Sequence, residues 1–165
     1  MKKLFTILTL ASVCFLSQKA NAQAFEKGNK IINLGLQLQS SVSPITISGE
    51  YGLTDDIGAG AKISYGSASS VSSFFIGGMA NYHLSKVLSL GVDKLDIYAG
   101  PTAGLYRTGV SILGISASST DFAVLGQAGA RYYITDAIGV HGQLNLGIVN
   151  TSGSNLEVGV SFKLK

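Results

Sequence analysis

The sequence predicts an all-β chain: an eight-stranded antiparallel up-and-down barrel that crosses a membrane by its strands, preceded by a cleaved signal peptide. Three observations lead there. After residue 22 the chain reads as eight segments of about ten residues in which apolar and polar side chains alternate, the period of a strand with one greasy and one wet face. Only 13% of the chain is charged, and the wet faces carry Asn, Gln, Ser, Thr and isolated charges rather than the Lys and Glu clusters that solvate a soluble sheet. The start of the chain has the form of an export signal.

That signal comes first. Lys2 and Lys3 are followed by an apolar run from Leu4 to Leu16, and Ala20-Asn21-Ala22 is a small-x-small cleavage pattern before Gln23. The run is shorter than the roughly 20 residues a membrane-spanning helix needs, so residues 1–22 are expected to be removed and residues 23–165 to form one domain. Lys2, Lys3 and Lys19 leave with the signal, so nine basic residues face nine acidic ones and the apparent pI near 9.0 is no argument for a nucleic-acid partner. The only cysteine, Cys14, leaves too, and Val13 stands where a lipoprotein signal wants a small residue. The mature chain is then free of disulfides and thiolate metal sites.

The segments follow in order. The first, Lys30 to Gln39, sets Ile32, Leu34, Leu36 and Leu38 against Asn33, Gly35 and Gln37. The second is Ile45 to Tyr51, and the third, Ile57 to Tyr65, faces Ile57, Ala59, Ala61, Ile63 and Tyr65 away from Lys62 and Ser64. The fourth is Phe74 to Tyr82. The fifth runs from Leu95 to about Leu105 and is interrupted by Pro101, which removes a ladder donor and predicts a bulge or local break. The sixth, Phe122 to Ile134, places Gln127 and Arg131 opposite Val124, Ala128, Ala130 and Tyr132; the seventh, Ile138 to Ile148, opposes Val140, Leu144 and Leu146 to His141, Gln143 and Asn145. The eighth, Leu156 to Lys165, alternates without a break. A sustained helical period is absent from all of them.

Leu53-Thr54-Asp55-Asp56-Ile57-Gly58 recurs as Ile134-Thr135-Asp136-Ala137-Ile138-Gly139. Two turns of one kind on one rim require an even number of strands between them, and four lie there. The strands are near the length that crosses a bilayer with tilt, whereas ordinary strands average five or six residues. Tyr51, Tyr65, Phe74, Tyr82, Tyr132 and Phe162 fall near strand ends, where interfacial girdles belong.

With the greasy faces in lipid, the wet faces enclose the lumen. This puts Glu50, Lys62, Asp96, Arg131, His141 and Lys163 inside, toward the rim that holds both termini, with Glu157 higher and among fewer charged neighbours. An eight-stranded barrel is just wide enough for side chains to fill, so these charges must pair, and they read as a plug or as the lining of a narrow or gated pore. His141 raises catalysis on lipid, but it shares the lumen face with Gln143 and Asn145, and no serine lies two residues from it on that strand. Neither His83 nor His141 has metal-ligand spacing, and no cofactor is expected.

The tail Glu157-Val158-Gly159-Val160-Ser161-Phe162-Lys163-Leu164 resembles the final-strand assembly signal of bacterial outer-membrane proteins: polar at Glu157, glycine at Gly159, hydrophobic at Phe162 and Leu164. With the signal peptide and eight strands, the chain resembles the small outer-membrane β-barrel family of the OmpX and OmpA-barrel type, although it ends on Lys165 where many members end on an aromatic residue. The resemblance implies a monomer in the outer membrane of a Gram-negative bacterium, in contact with its lipid and its assembly machinery, without enzymatic activity and with a structural or surface-interaction role. A narrow small-solute pore is the alternative; a lipid-modifying enzyme or a soluble ligand-binding barrel are the remaining readings.

Both termini then lie in the periplasm. Ser40 to Pro44, Gly66 to Ser73, Tyr106 to Thr120 and Asn150 to Ser154 become external loops, and Thr54 to Asp56, Leu84 to Lys94 and Thr135 to Ala137 periplasmic turns. The third external loop is greasier than a solvated loop should be, with Val110, Ile112, Leu113 and Ile115. Either the flanking strands continue above the membrane as a hairpin, or these residues form a contact edge for an extracellular protein.

Overall fold

Backbone groups in a bilayer must pair within the protein, and the alternating segments do so by closing on themselves. The computed structural model of the protein describes residues 24–39, 42–85, 92–113, 115–151 and 153–164. The expected signal peptide, its cleavage site before Gln23, and Lys165 lie outside the described residues. The strands are β1 (Lys30–Leu38), β2 (Ile45–Gly52), β3 (Ile57–Ala68), β4 (Val71–His83), β5 (Leu95–Ile112), β6 (Ile115–Tyr133), β7 (Ile138–Val149) and β8 (Ser154–Leu164). They form a closed barrel in chain order, every neighbour antiparallel, with β8 against β1 from Lys30↔Leu164 to Leu38↔Leu156.

Side-chain alternation decides what the barrel sits in. On β2, Ile47 is 50% exposed while the adjacent Thr46 is 0% exposed, and β1, β3, β7 and β8 repeat the pattern. Leu34, Ile63, Ile76, Leu105, Leu144 and Val158 all point outward, whereas Asn33, Glu50, Lys62, Asn81, Asp96, Gln127 and Arg131 are buried inside. A soluble ligand-binding barrel would carry apolar residues inside, so that reading is excluded. The outward aromatics divide between two levels, Tyr51, Tyr82, Tyr132 and Phe162 near the rim holding the termini, Tyr65 and Phe74 near the opposite one.

The two repeated hexapeptides are the same turn. Leu53 and Ile134 each donate a backbone N–H to a carbonyl four residues on, Ile57 and Ile138, both at 2.9 Å. Thr54 Oγ1 accepts from the backbone N–H of Asp56 and Ile57 at 3.2 and 2.9 Å; Thr135 Oγ1 accepts from Ala137 and Ile138 at 3.3 and 3.0 Å. Short side-chain acceptors that mimic a backbone turn explain the Thr in each copy. The four intervening strands, β3 to β6, put both turns on one rim.

Pro101 makes the expected local break: the β4–β5 ladder is interrupted across Ala80 and Asn81 and resumes in the same register, while β5–β6 runs through Pro101↔Gly126 without a shift. The register shift lies at Val124 and Leu125 against β7, where Ile148 is left over. The stretch Tyr106 to Thr120 takes the hairpin form, one of its two expected readings: β5 extends to Ile112 and β6 begins at Ile115, with Leu113 in the left-handed region at φ 52°. Both faces of that stretch lie beyond the membrane, so no one-sided burial imposes alternation on its sequence, yet the ladder continues. One expectation of the fold changes: β3 and β4 reach Ala68 and Val71, so the expected loop Gly66 to Ser73 shrinks to a two-residue connection through Ser69 and Ser70. Of the expected turn Leu84 to Lys94, residues 86–91 lie outside the described residues.

Candidate functional site

The lumen holds two storeys of charge. In the lower one, Arg131 on β6 is fully buried and donates to Asp96 Oδ2 at 2.8 Å and to Glu50 Oε2, across the barrel on β2, at 3.2 Å. The guanidinium also lies 4.7 Å from the centre of the Tyr98 ring, a cation–π arrangement. His83 completes the group: Nδ1 is 2.7 Å from Asp96 Oδ1 and Nε2 is 3.1 Å from Glu50 Oε1. Gly58 leaves the room Glu50 needs, since a Cβ there would collide with Glu50 Oε1. The planar guanidinium serves two carboxylates at once, which a lysine ammonium could not do with the same geometry.

The upper storey is Lys62 on β3, whose Nζ donates to Glu157 Oε2 at 2.9 Å and to Asn145 Oδ1 on the opposite wall at 3.2 Å. Glu157 thus has charged company, contrary to the sparse neighbourhood expected for it, because Lys62 and His141 converge on it from β3 and β7. Carboxamides join the storeys. Asn81 donates to Glu50, Gln127 to Asn81 at 2.6 Å, and Gln143 to both Gln127 and Asn145. Tyr98 donates its hydroxyl proton to Gln143 at 2.9 Å. Of the six lumen residues expected from sequence, Glu50, Lys62, Asp96, Arg131 and His141 are buried in this network. Lys163 is half-buried at its lower edge, with Nζ 4.6 Å from the centre of the Tyr133 ring.

Beneath the lower storey the N-terminal segment crosses the mouth. Phe25 is 4% exposed and stacks on His83 with ring centres 3.3 Å apart and planes inclined by 7°. Gly28 and Asn29 hold this segment to Gly52, and Lys27 N–H donates to Asp55 Oδ1 at 3.1 Å. Above the upper storey the lumen widens into a cavity of about 280 Å3, bordered by Gln39, Lys62, Tyr106, Asn155 and the β7–β8 connection at Thr151 and Gly153. It ends on Lys62 and Asn145, where the Lys62 ammonium, bonded to both Asn145 and Glu157, closes the way down.

One arrangement has the outline of a catalytic triad. His141 Nδ1 lies 3.0 Å from Ser161 Oγ, and its Nε2 lies 3.6 Å from Glu157 Oε1. Ser161 is on the neighbouring strand, paired with Gly139, which is why inspection of one strand face does not find it. The geometry does not suit a nucleophile: Ser161 is 0% exposed and gives its proton to Asn33 Oδ1 at 2.8 Å, leaving its oxygen to accept from the imidazole. An activated serine would instead donate to the histidine. Ser161→Ala should therefore leave lipid A unaltered relative to the parent when mass spectra of cells expressing either are compared. Among the described residues no group of three or more His, Cys, Asp or Glu is placed to hold a metal ion.

At the rim opposite the termini the β5–β6 hairpin stands clear. β7 stops pairing with β6 at Val149↔Val124, so among the described residues the backbone of Ile115 to Ala123 has a partner only on its β5 side, apart from the Phe122 carbonyl, which accepts from Asn150 Nδ2 at 2.9 Å. Val110, paired with Ala117, and Ile112, paired with Ile115, share the face that continues from the lumen; Leu113 at the tip is 97% exposed. Glu157, Gly159, Phe162 and Leu164, the residues expected from sequence to form an assembly signal, sit on β8 against Gln37, Gly35, Ile32 and Lys30 of β1.

A closed ring of antiparallel strands, apolar outside and filled with paired polar groups, defines an integral membrane β-barrel. The model of the outer membrane protein beta-barrel domain matches residues 7–163, and the chain belongs to that family, in the outer membrane of Gram-negative bacteria. Its fold is that of the N-terminal β-barrel domain of Pseudomonas aeruginosa OprF, at TM-score 0.64 and 19% identity over 84% of this chain and 98% of that one. Neisserial surface protein A has the same fold at TM-score 0.57 and 19% identity over 82% and 95%. So does Ail, the attachment invasion locus protein of Yersinia pestis, at 0.56 and 10% over 84% and 99%. A search of curated protein sequences found no match to this chain.

Proposed function

We propose that this protein is a sealed, non-enzymatic outer-membrane anchor that presents the β5–β6 hairpin to the exterior as a surface-interaction element. The observation that carries this reading is the edge of β6, Ile115 to Ala123, where among the described residues the backbone groups facing away from β5 have no partner except the Phe122 carbonyl, an edge of the kind that accepts an added strand. Val110, Ile112, Leu113 and Ile115 at its tip supply apolar contact surface for an extracellular protein. Ail, an attachment invasion locus protein by name, shares the fold, which supports such a role here.

Deleting residues 110–117 tests it. The shortened barrel should keep its heat-modifiable gel mobility and its surface amount, while adherence of expressing cells to a host-cell layer falls by about tenfold, the loss of roughly 1.4 kcal/mol of contact. Equal adherence would remove the proposed role of the hairpin. The lumen is expected to be closed to solutes, because hydrogen bonds span it at both storeys. Purified barrel in planar bilayers should show no steady channels, and sizeable conductance would favour the narrow small-solute pore instead.

A further inference from the structure

Beyond the lumen storeys, the external segments of the chain carry two charged side chains, Arg107 and Asp121. They lie on opposite faces of the hairpin. Asp121 pairs with Tyr106 on the face that continues from the lumen, and accepts from Ser119 Oγ at 2.8 Å. Arg107 pairs with Thr120 on the outer face, the one that lower down faces lipid through Leu105 and Phe122. On β5 and β6 the apolar band therefore ends at Leu105 and Phe122, 52% and 56% exposed, and the next outward step is a guanidinium level with the Phe74 ring of β4. That step is the headgroup level of the outer leaflet, where an arginine stem lies along apolar surface and its charge reaches the polar layer.

Among the described residues Arg107 has one hydrogen bond, from Nη2 to Ser118 Oγ at 3.0 Å, and no carboxylate. The polar surface continues above it through Ser72, Gly109 and Ser118, which are register partners across three strands, and then through Ser70, Ser111 and Ser116. A recess of about 300 Å3 is bordered by Arg107, Gly109 and these serines. Gly109 keeps it open: a Cβ there would stand 2.7 Å from Ser72 Oγ. A fork of N–H donors flanked by hydroxyls, with no anionic acceptor among them, matches a tetrahedral phosphate, whose several oxygens take a guanidinium and neighbouring hydroxyls together.

We infer that the outer face of β4 to β6, centred on Arg107, holds the phosphorylated headgroup of an outer-leaflet lipid. Charge and position select that occupant: Arg107 supplies a cation to the recess, and the outward residues next below it, Leu105 and Phe122, are exposed and apolar, as a lipid-facing wall requires. A bound lipid at this place would stand beside the foot of the hairpin, and so would orient it against the membrane surface.

The test uses the mature barrel in phosphatidylcholine nanodiscs doped with diphosphoryl lipid A or with its dephosphorylated counterpart, and native mass spectrometry reads the lipid retained after ejection. Retention of the phosphorylated form should exceed that of the dephosphorylated form about fivefold or more, Arg107→Gln should abolish the difference, and Arg107→Lys, which loses the two-pronged donor, should keep part of it. Ser72→Ala with Ser118→Ala should weaken it with the charge intact. Heat-modifiable mobility of every variant reports that the barrel is folded. Equal retention of the two lipids, or a difference that survives Arg107→Gln, overturns the inference. A side-chain NMR shift of Arg107 with inorganic phosphate or with a sulfated oligosaccharide, without preferential lipid retention, would assign the site to a soluble anion and overturn the lipid assignment.

Discussion

Arg131→Met should lower the stability of the barrel by about 3–5 kcal/mol, read as a fall in the urea midpoint of unfolding from lipid vesicles. The substituted side chain has nearly the length of the original stem, so the cavity left is small. What it leaves is charge: Glu50 and Asp96, both nine-tenths or more buried, lose the guanidinium that donates to each of them, and keep only His83, between the two, and the Asn81 amide on Glu50. Removing one partner of a buried ion pair is costly because the other charge remains desolvated, whereas removing all partners is close to neutral. Combining Arg131→Met with Glu50→Gln and Asp96→Asn should therefore recover much of the loss. A single-mutant midpoint within about 1 kcal/mol of the parent would show that water reaches this storey and that the lumen is not sealed.

Truncating the chain before Phe162 should abolish assembly altogether. The deletion removes three register pairs with β1, at Lys30, Ile31 and Ile32, and the pair with Ile138 of β7, from the one seam where the chain's two ends meet. An open seam in hydrocarbon leaves unpaired N–H and C=O groups that each cost several kcal/mol, so the ring has no partially closed form of useful stability. The measurement is the appearance of the fast-migrating unboiled band. Removal of residues 110–117 deletes more residues but lies outside the membrane, and should leave that band in place. Recovery of the folded band from the truncated chain would mean that β8 is not what closes the barrel.

The barrel itself is legible because lipid imposes a constraint on every second residue, and Leu34, Ile47, Ile63 and Leu144 obey it without exception. Legibility stops where that constraint stops. In the hairpin, Ser111, Ser116 and Ser118 have water or headgroups on one side and an open mouth on the other, so the pairing of Ile112 with Ile115 leaves no periodic trace. The alternating pattern of the fourth segment ends at Tyr82, which leaves His83 at the edge of a turn. One further pair, His83 with Tyr98, carries it into the lumen, and counting inward positions on from Asn81 finds it. Ser161 beside His141 and Phe25 beneath His83 are not legible, since both contacts depend on which strand or segment is a neighbour in space. The pairing of Lys62 with Glu157 across the barrel has the same character.

The sparse charge of the external segments has a kinetic meaning as well. Every external connection of an outer-membrane barrel begins on the periplasmic side and must be carried through the hydrocarbon layer as the strands insert. A charge moved to the middle of a bilayer costs about 2.5–3.5 kcal/mol even on the mildest scales, so each one left out of a connection lowers the barrier to threading. The first, second and fourth connections here contain none, and the hairpin contains Arg107 and Asp121 alone. The β5–β6 hairpin is then the slowest passenger, and the rate at which this barrel reaches its closed form should be set by the crossing of those two side chains rather than by the pairing of its strands.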